Sequence, residues 1–243
     1  MDLLLEINDL RCGYDDRAVV DGLQLHIAPG NLVSLLGPSG CGKTTVLRAI
    51  AGFQPVTSGE IRLNGKIVSS PGVLVPPEQR NLGMVFQDYA LFPHLTVSEN
   101  IAFGLRHHTA GSKQQVVDCL LELIGMEGYG KRYPAELSGG QQQRIAVARA
   151  LAPEPSLLLL DEPFSNLDVE LRERLAIDVR DMLHSQNATA IFVTHDQNEA
   201  FVMGEKIGVM NDGHMLQWDT AFNLYHEPND RPLIDSRSST HSA

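Results

Sequence analysis

The chain has 243 residues, of which 43% are hydrophobic and 20% charged, a balance typical of folded globular proteins and not of disordered ones. Its net charge of −11 argues against a protein that binds nucleic acid through a basic surface, so no nucleic-acid partner is expected. The three cysteines, Cys12, Cys41 and Cys119, are far apart and form no CxxC pair, which excludes a disulfide framework and a thiolate metal site and indicates a reducing compartment.

Alternating or continuous apolar runs predict strands in the first part of the chain, over residues 3–7, 23–27, 32–36, 59–63 and 82–86. The run 32–36 is mostly apolar, as in a parallel strand that is buried on both faces. It leads into a glycine-rich turn and then into a helix over 45–51, which we expect to end at Gly52.

From about residue 88 to residue 155 the pattern becomes helical. Apolar residues recur at helical spacing in 97–105 and 116–124, and a segment rich in Ala, Gln and Arg ends before Pro153. Strand-like apolar runs return at 157–160 and 190–193. This order predicts a parallel-sheet core that is interrupted by a helical insertion.

The glycine-rich turn is a candidate phosphate-binding loop. Its residues fit the pattern G-x-x-x-x-G-K-[ST]: Gly37, Pro38, Ser39, Gly40, Cys41, Gly42, Lys43 and Thr44. The glycines let backbone N–H groups turn inward around an anion, and the following helix adds its positive N-terminus. Lys43 would reach the β- and γ-phosphates of a nucleotide, and the Thr44 hydroxyl would bind Mg²⁺. Because Cys41 lies beside Lys43 and this helix, we expect its thiol to ionise readily and to react with thiol reagents.

Two acidic residues complete a candidate site. Four leucines at 157–160 lead into Asp161 and Glu162, which places both carboxylates at the carboxyl edge of a parallel sheet, where ligands bind in such folds. Asp161 suits Mg²⁺, directly or through water. Glu162 suits the polarisation of an attacking water molecule.

A second glycine-rich nest opens a later helix, at Ser138, Gly139, Gly140 and Gln141. A single fold does not need two such nests for one triphosphate. We therefore expect the second nest to serve a nucleotide that is held mainly by another copy of the chain.

Along the chain, the phosphate loop comes first, the Leu-Ser-Gly-Gly-Gln segment at 137–141 second and the Leu-Leu-Leu-Leu-Asp-Glu segment at 157–162 third. In this order, the three motifs resemble those of the ATP-binding subunit of ATP-binding-cassette (ABC) transporters, over about residues 3–228. The resemblance implies an α/β fold: a P-loop NTPase core with a mostly parallel sheet, an N-terminal antiparallel β region and a helical insertion subdomain at about 88–155. It also implies one nucleotide-binding domain over 1–235, a flexible tail at 236–243, and ATP and Mg²⁺ as cofactors.

The resemblance gives roles to residues that would mean little alone. Tyr14 looks like the aromatic residue that stacks on adenine, with Val19 lining the same pocket. Gln87 looks like the hinge-loop glutamine that senses Mg²⁺ and the γ-phosphate, residues 165–168 resemble the loop exchanged between two subunits, and His195 looks like the switch histidine. The implied catalytic residues are Glu162, His195, Lys43 and Gln87, and the implied Mg²⁺ ligands are Thr44, Gln87 and Asp161. The implied nucleotide contacts are Tyr14, Val19, Gly37, Pro38, Ser39, Gly40, Cys41, Gly42, Lys43, Thr44, Thr45, Ser138, Gly139, Gly140 and Gln141.

The resemblance also implies partners: a second copy of the chain in an ATP-sandwich dimer, permease subunits docked near 87–94 and, indirectly, a periplasmic or lipoprotein substrate-binding protein. Residues 51–53 and 151–168 look most like those of bacterial ferric-iron importers, and importers of polyamines, sulfate, thiamine or sugars share nearly as much. No apolar run approaches the ~18–20 residues that cross a bilayer, and the start of the chain has no cationic signal segment. We expect a protein on the cytoplasmic face of the cell membrane, attached peripherally through its partners.

Two readings from other classes stay open. A soluble ABC-type ATPase without a permease would share the motifs, although such proteins usually carry two cassettes or long coiled coils. A P-loop kinase would leave Ser138–Gln141 without a role. Relatives usually continue past 224–228 into a β-rich regulatory domain, whereas this chain continues into a Ser-rich segment.

Overall fold

The structure is a computed structural model that describes residues 3–14, 17–105 and 109–227. The tail predicted at 236–243 lies outside the described residues. The strands are β1 (Leu5–Tyr14), β2 (Arg17–Ile27), β3 (Leu32–Leu36), β4 (Ser58–Leu63), β5 (Lys66–Ser70), β6 (Val73–Leu74), β7 (Leu82–Val85), β8 (Leu157–Asp161), β9 (Ala190–Thr194), β10 (Lys206–Asn211) and β11 (His214–Thr220). The helices are α1 (Lys43–Ala51), α2 (Val97–Ala102), α3 (Ala110–Leu123), α4 (Gly139–Leu151), α5 (Val169–Ser185), α6 (Gln197–Met203) and α7 (Ala221–His226).

Two sheets organise the chain. The larger sheet has the order β11-β10-β3-β9-β8-β7 and is parallel except for the edge strand β11. The smaller sheet has the order β2-β1-β4-β5-β6 and is antiparallel. The predicted α/β fold, with its mostly parallel sheet and its N-terminal antiparallel β region, is confirmed.

The leucines of β8 show how the layers pack. Leu157 and Leu159 face a core shared with α1 and the antiparallel sheet, whereas Leu158 and Leu160 face a second core formed with the helices. Successive side chains of a strand point to opposite faces, so a strand covered on both faces must be apolar throughout. The parallel sheet is therefore the middle layer of the molecule.

Within the predicted helical insertion at 88–155, the structure contains α2, α3 and α4. Helix α4 begins at Gly139, as the Ser138–Gln141 motif predicts, and the side chains of Ser138 and Gln141 cap its first turn reciprocally. Among the described residues, no helix is both long enough and apolar enough to span a membrane.

A buried arginine, which the sequence did not single out, joins the end of α1 to the antiparallel sheet. The Arg80 side chain is 4% exposed and its guanidinium donates to the carbonyls of Ala49 and Ile50 at 3.0 and 2.7 Å. It also donates to the Val68 carbonyl at 2.9 Å and to the Ser69 hydroxyl at 2.8 Å, both on β5. Burial without a carboxylate partner lowers the pKa of Arg80 to about 10. Its positive charge lies at the negative end of α1, where the helix dipole favours a cation.

We predict that Arg80→Met lowers the free energy of unfolding by about 3 kcal/mol, because it leaves buried carbonyls and a hydroxyl without their donor. Urea denaturation of the two proteins measures the difference. The matched control is Arg62→Met on β4, which removes a partly exposed ion pair with Glu60 and a long hydrogen bond of 3.5 Å to the Gly65 carbonyl, and it should leave the denaturation midpoint nearly unchanged. An equal loss in the two variants would contradict the structural role of Arg80.

Candidate active site

The register of the parallel sheet brings four separate segments to one edge. Leu36 at the end of β3 pairs with Thr194 on β9, and Val193 pairs with Asp161 on β8. Leu160 in turn pairs with Val85, the last residue of β7. The residues that follow these strands, which include the phosphate-loop candidate, Glu162, His195 and Gln87, therefore leave the sheet at the same carboxyl edge.

The loop between β3 and α1 follows a path that requires glycine at two places. A side chain at Gly37 would put its Cβ 2.3 Å from the Met210 carbonyl oxygen. Gly42 has a φ of 107°, in the left-handed region, and caps α1 without any side-chain hydrogen bond. The first amides of α1 are thus free of a side-chain cap, which suits the binding of an anion.

Lys43 is a buried cation whose hydrogen bonds go to neutral groups. The residue is 4% exposed, and its Nζ donates to the carbonyls of Gly37 at 2.7 Å and Pro38 at 2.9 Å. A third, longer contact of 3.9 Å reaches the Cys41 sulfur. Because a buried charge is stabilised best by an opposite charge, this ammonium is suited to a phosphate.

Thr44 and Asp161 join the two halves of the candidate site. The Thr44 hydroxyl donates to a carboxylate oxygen of Asp161 over 2.8 Å, although the two residues are 117 positions apart in the sequence. Burial raises the pKa of Asp161, and the hydrogen bond from Thr44 opposes this shift. A hydroxyl and a carboxylate side by side are the oxygen ligands that Mg²⁺ takes when phosphates supply further ligands. These residues fit the predicted cation.

Glu162 and His195 form a second pair at the same edge. Their side chains meet with 3.1 Å between Glu162 Oε2 and His195 Nδ1. Glu162 has a φ of 43°, a left-handed conformation that is uncommon outside glycine and is held here by a hydrogen bond from its amide to the Val193 carbonyl. The turn aims the carboxylate away from the sheet, towards His195.

The loop at 165–168 lies directly beside this pair. The Ser165 hydroxyl donates to the Glu162 carbonyl over 3.0 Å, and the Asn166 amide donates to the Gln87 carbonyl over 2.9 Å. Gln87 is exposed, and none of the hydrogen bonds among the described residues joins its side chain to Thr44 or Asp161. The contact that connects Gln87 to the site is therefore the hydrogen bond that its backbone carbonyl accepts from Asn166.

Tyr14 and Val19 flank the phosphate loop from the antiparallel sheet. The Tyr14 hydroxyl accepts a hydrogen bond of 3.2 Å from Arg48 on α1, and the residue is 44% exposed. The Val19 carbonyl lies 3.1 Å from where a Cβ on Gly42 would be, so the two backbones are in close contact. An exposed aromatic ring beside the loop is available for stacking on a base.

The second glycine nest lies apart from the first within this chain. Ser138, Gly140 and Gln141 line a cavity of about 250 Å³ together with Arg144 and Arg174. No hydrogen bond or ion pair in the described part of the chain links this nest to the loop at 37–45. In the part of the chain that the structure describes, Ser138–Gln141 and the phosphate loop are therefore two separate groups.

The expectation that Cys41 ionises readily is wrong. Cys41 is 3% exposed, and burial raises the pKa of its thiol more than the neighbouring charge of Lys43 lowers it. Cys12 is also buried, whereas Cys119 on α3 is exposed. Among the three cysteines, Cys119 is the accessible one.

The remaining predicted contacts differ in exposure. Pro38, Ser39 and Gly40 are exposed at the tip of the loop, whereas Thr45 is buried one residue beyond the Mg²⁺ candidate. Asn166 belongs to the loop predicted at 165–168, but its hydrogen bond to the Gln87 carbonyl was not predicted. Arg172, whose side chain contacts Leu167 and Asp196 in the two loops beside Glu162, was missed altogether. No short motif marks such residues, because their partners are distant in the sequence.

Comparisons with known proteins agree with this geometry. The family model for ABC transporters matches residues 20–165. The chain is 44% identical to the spermidine/putrescine import ATP-binding protein PotA of Oleidesulfovibrio alaskensis, over 93% of this chain and 60% of that protein. It is 48% identical to the Fe(3+) ions import ATP-binding protein FbpC of Rhizobium etli, over 90% of this chain and 62% of that protein. The chain thus spans about 60% of the length of the curated relatives it matches.

A solved structure extends the likeness to the fold. This is cbiO1 from Clostridium perfringens, described as part of the ABC transporter complex cbiONQ, with a TM-score of 0.84 and 26% sequence identity. The alignment covers 93% of this chain and 92% of that one. With the family model matching more than half of its residues, the chain belongs to the ABC transporter family.

Proposed function

We propose that this chain binds ATP with Mg²⁺ and hydrolyses it to power the import of a substrate through membrane permease subunits. The observation that carries the proposal is the hydrogen bond between Thr44 and Asp161, because it unites the phosphate loop with the acidic end of β8. A glycine-rich turn alone would not bring a carboxylate to that position. The relatives named as import ATP-binding proteins support the coupling to transport.

The chain's own groups account for nucleotide binding. The backbone amides of the loop and the N-terminus of α1 hold the phosphates, and Lys43 neutralises charge on the β- and γ-phosphates. Thr44 and Asp161 would hold Mg²⁺, which would neutralise further phosphate charge. Tyr14 stacks on the base, because its ring is exposed beside the loop.

Hydrolysis needs a base near the terminal phosphate, and Glu162 is placed for this role. Its carboxylate accepts a hydrogen bond from the attacking water and takes a proton as the new phosphorus–oxygen bond forms. His195, at 3.1 Å, orients the carboxylate and lies at the carboxyl end of β9, beside the strand that leads into the phosphate loop. Binding and chemistry thus depend on different residues.

We predict that Glu162→Gln binds ATP with nearly unchanged affinity and hydrolyses it roughly 10²–10⁴-fold more slowly, since only the proton acceptor is lost. Equilibrium binding of ATP and a phosphate-release assay measure the two effects. The contrasting variant is Lys43→Ala, which should weaken binding itself, because it removes a cation from the phosphate site. Turnover by Glu162→Gln near the wild-type rate would move the catalytic role elsewhere, with His195 as the first candidate.

We further propose that the complete site forms between two copies of the chain. Among the described residues, Ser138–Gln141 has no hydrogen bond to the loop at 37–45. It lies at the N-terminus of α4, where the Ser138 hydroxyl caps the Gln141 amide and the helix dipole favours a phosphate. In an isologous pair, each ATP lies between the phosphate loop of one copy and the Ser138 nest of the other. The pair then holds two equivalent nucleotides.

The pairing predicts complementation between two inactive variants. Lys43→Ala and Ser138→Arg damage opposite halves of the composite site, so a mixture should recover one intact site and up to about half of the wild-type activity in each mixed dimer. Phosphate release is measured over a range of protein concentrations, and the wild-type specific activity should rise with concentration. Specific activity independent of concentration, with no recovery in the mixture, would indicate a monomeric ATPase.

The identity of the transported substrate depends on the permease subunits and the binding protein with which this chain works. The relatives named above include a polyamine importer and a ferric-iron importer, which supports these two substrate classes as candidates beside sulfate, thiamine and sugars. We propose that the chain lies on the cytoplasmic face of the cell membrane, bound to permease subunits that receive substrate from a binding protein. A soluble ABC ATPase is the alternative, and it would turn over ATP without any permease partner.

A further inference from the structure

Arg172, in the first turns of α5, occupies the space between the two loops that flank Glu162. Its side chain is 18% exposed, so the guanidinium is largely removed from water. Two backbone carbonyls and two carboxylates lie around it, and they come from two separate segments of the chain. A guanidinium is suited to this position, because its five donors are fixed in one plane and can serve several acceptors at once.

The first segment is the loop at 165–168. Arg172 Nη2 lies 3.0 Å from the Leu167 carbonyl oxygen and 3.5 Å from the Ser165 carbonyl oxygen. Ser165 in turn donates its hydroxyl to the Glu162 carbonyl over 3.0 Å. Arg172 therefore reaches the backbone of Glu162 through a single intermediate residue.

The second segment is the turn that carries His195. Arg172 lies 3.7 Å from an Asp196 carboxylate oxygen and 3.4 Å from one of Glu199, in the latter case as an ion pair without hydrogen-bond geometry. Glu199 is 6% exposed and accepts a hydrogen bond of 2.5 Å from the Thr194 hydroxyl. The Asp196 amide also donates to Thr194. Thr194 and Asp196, the two sequence neighbours of His195, are thus connected to Glu199, with which Arg172 forms an ion pair.

The electrostatics explain why a cation is needed here. Burial raises the pKa of Glu199, and the nearby charge of Asp196 raises it further. The hydrogen bond from Thr194 and the positive charge of Arg172 act in the opposite direction. Arg172 thus compensates the neighbouring carboxylates of Asp196 and Glu199.

We propose that Arg172 is a positioning residue that holds the loops at 165–168 and 194–199 in one arrangement and so fixes the Glu162–His195 pair for hydrolysis. The inference rests on the proposed ATPase function. Arg172 touches neither the phosphate loop nor the Thr44–Asp161 pair in the described structure, so its effect falls on the chemical step and not on nucleotide binding. Misplacing a catalytic group by about 1 Å costs on the order of 10²-fold in rate.

The test uses the full chain with two conservative substitutions, Arg172→Lys and Glu199→Gln, and the double variant. Arg172→Lys keeps the charge and loses the planar set of donors, so it cannot serve both loops together. We expect kcat for ATP hydrolysis to fall roughly 10- to 100-fold in each single variant. The KM for ATP and the equilibrium affinity for ATP should stay at the wild-type values. In the double variant the loss should not exceed that of the single variants, because the two side chains act as a unit.

The matched control is Arg180→Lys, on the same helix. Arg180 pairs with Asp181 at 2.8 Å and donates to the Val202 carbonyl over 3.4 Å, so it also joins α5 to α6. It has no hydrogen bond or ion pair to the loop at 165–168 among the described residues. Its substitution should leave kcat unchanged, and thermal unfolding of every variant separates a loss of rate from a loss of folded protein.

The outcomes distinguish the two proposals. If the wild-type chain hydrolyses no ATP at any protein concentration, the proposed function itself is wrong. If it does hydrolyse ATP, a wild-type kcat in both Arg172→Lys and Glu199→Gln overturns the positioning role. Three further results would also overturn it. The first is a fall in kcat no greater than that of Arg180→Lys, and the second is a fall in kcat in the double variant equal to the product of the two single falls. The third is a change in the affinity for ATP with kcat unchanged.

Discussion

The register of the parallel sheet is the constraint on which the candidate site depends. Each functional segment follows a strand, and the pairing of Leu36 with Thr194 and of Asp161 with Val193 sets where those segments leave the sheet. Because side chains alternate along a strand, a slip of one residue would exchange the two faces of every strand. A slip of β8 would also move Asp161, which follows four leucines, away from the Thr44 hydroxyl. The register of the strands thus determines the geometry of the catalytic edge.

Helix α1 is fixed by contacts at both of its ends. At its start, Thr44 is bonded to Asp161, and at its end, the carbonyls of Ala49 and Ile50 accept hydrogen bonds from Arg80. A helix of nine residues is too short to be stable alone in water, so its position depends on these partners. The phosphate loop is therefore held from the antiparallel sheet on one side and from the parallel sheet on the other.

The sequence predicted the parts of the site that are local. The phosphate loop, the acidic end of β8 and the Ser138 nest each lie within a few consecutive residues, and local spacing identifies them. The contacts of Arg80 and Arg172 could not be predicted, because each depends on carbonyls or carboxylates that only the folded chain brings together. Cys41 shows the limit of local reasoning about charge: the neighbouring Lys43 was visible in the sequence, but the burial that dominates the pKa of the thiol was not.

The strand order has a consequence for the synthesis of the chain. In the sheet, β3 pairs with β9 and β10, whose residues begin at 190 and 206, whereas β3 itself ends at Leu36. At the rates at which ribosomes work, the interval between these segments is roughly 10 to 30 s. During that time, β3 and the phosphate loop that follows it have been synthesised, but β9 and β10, which pair with β3 in the sheet, have not. The nucleotide site is thus completed late in synthesis, and until then the antiparallel sheet, which shares a core with Val33 and Leu35, is the part of the fold available to cover β3.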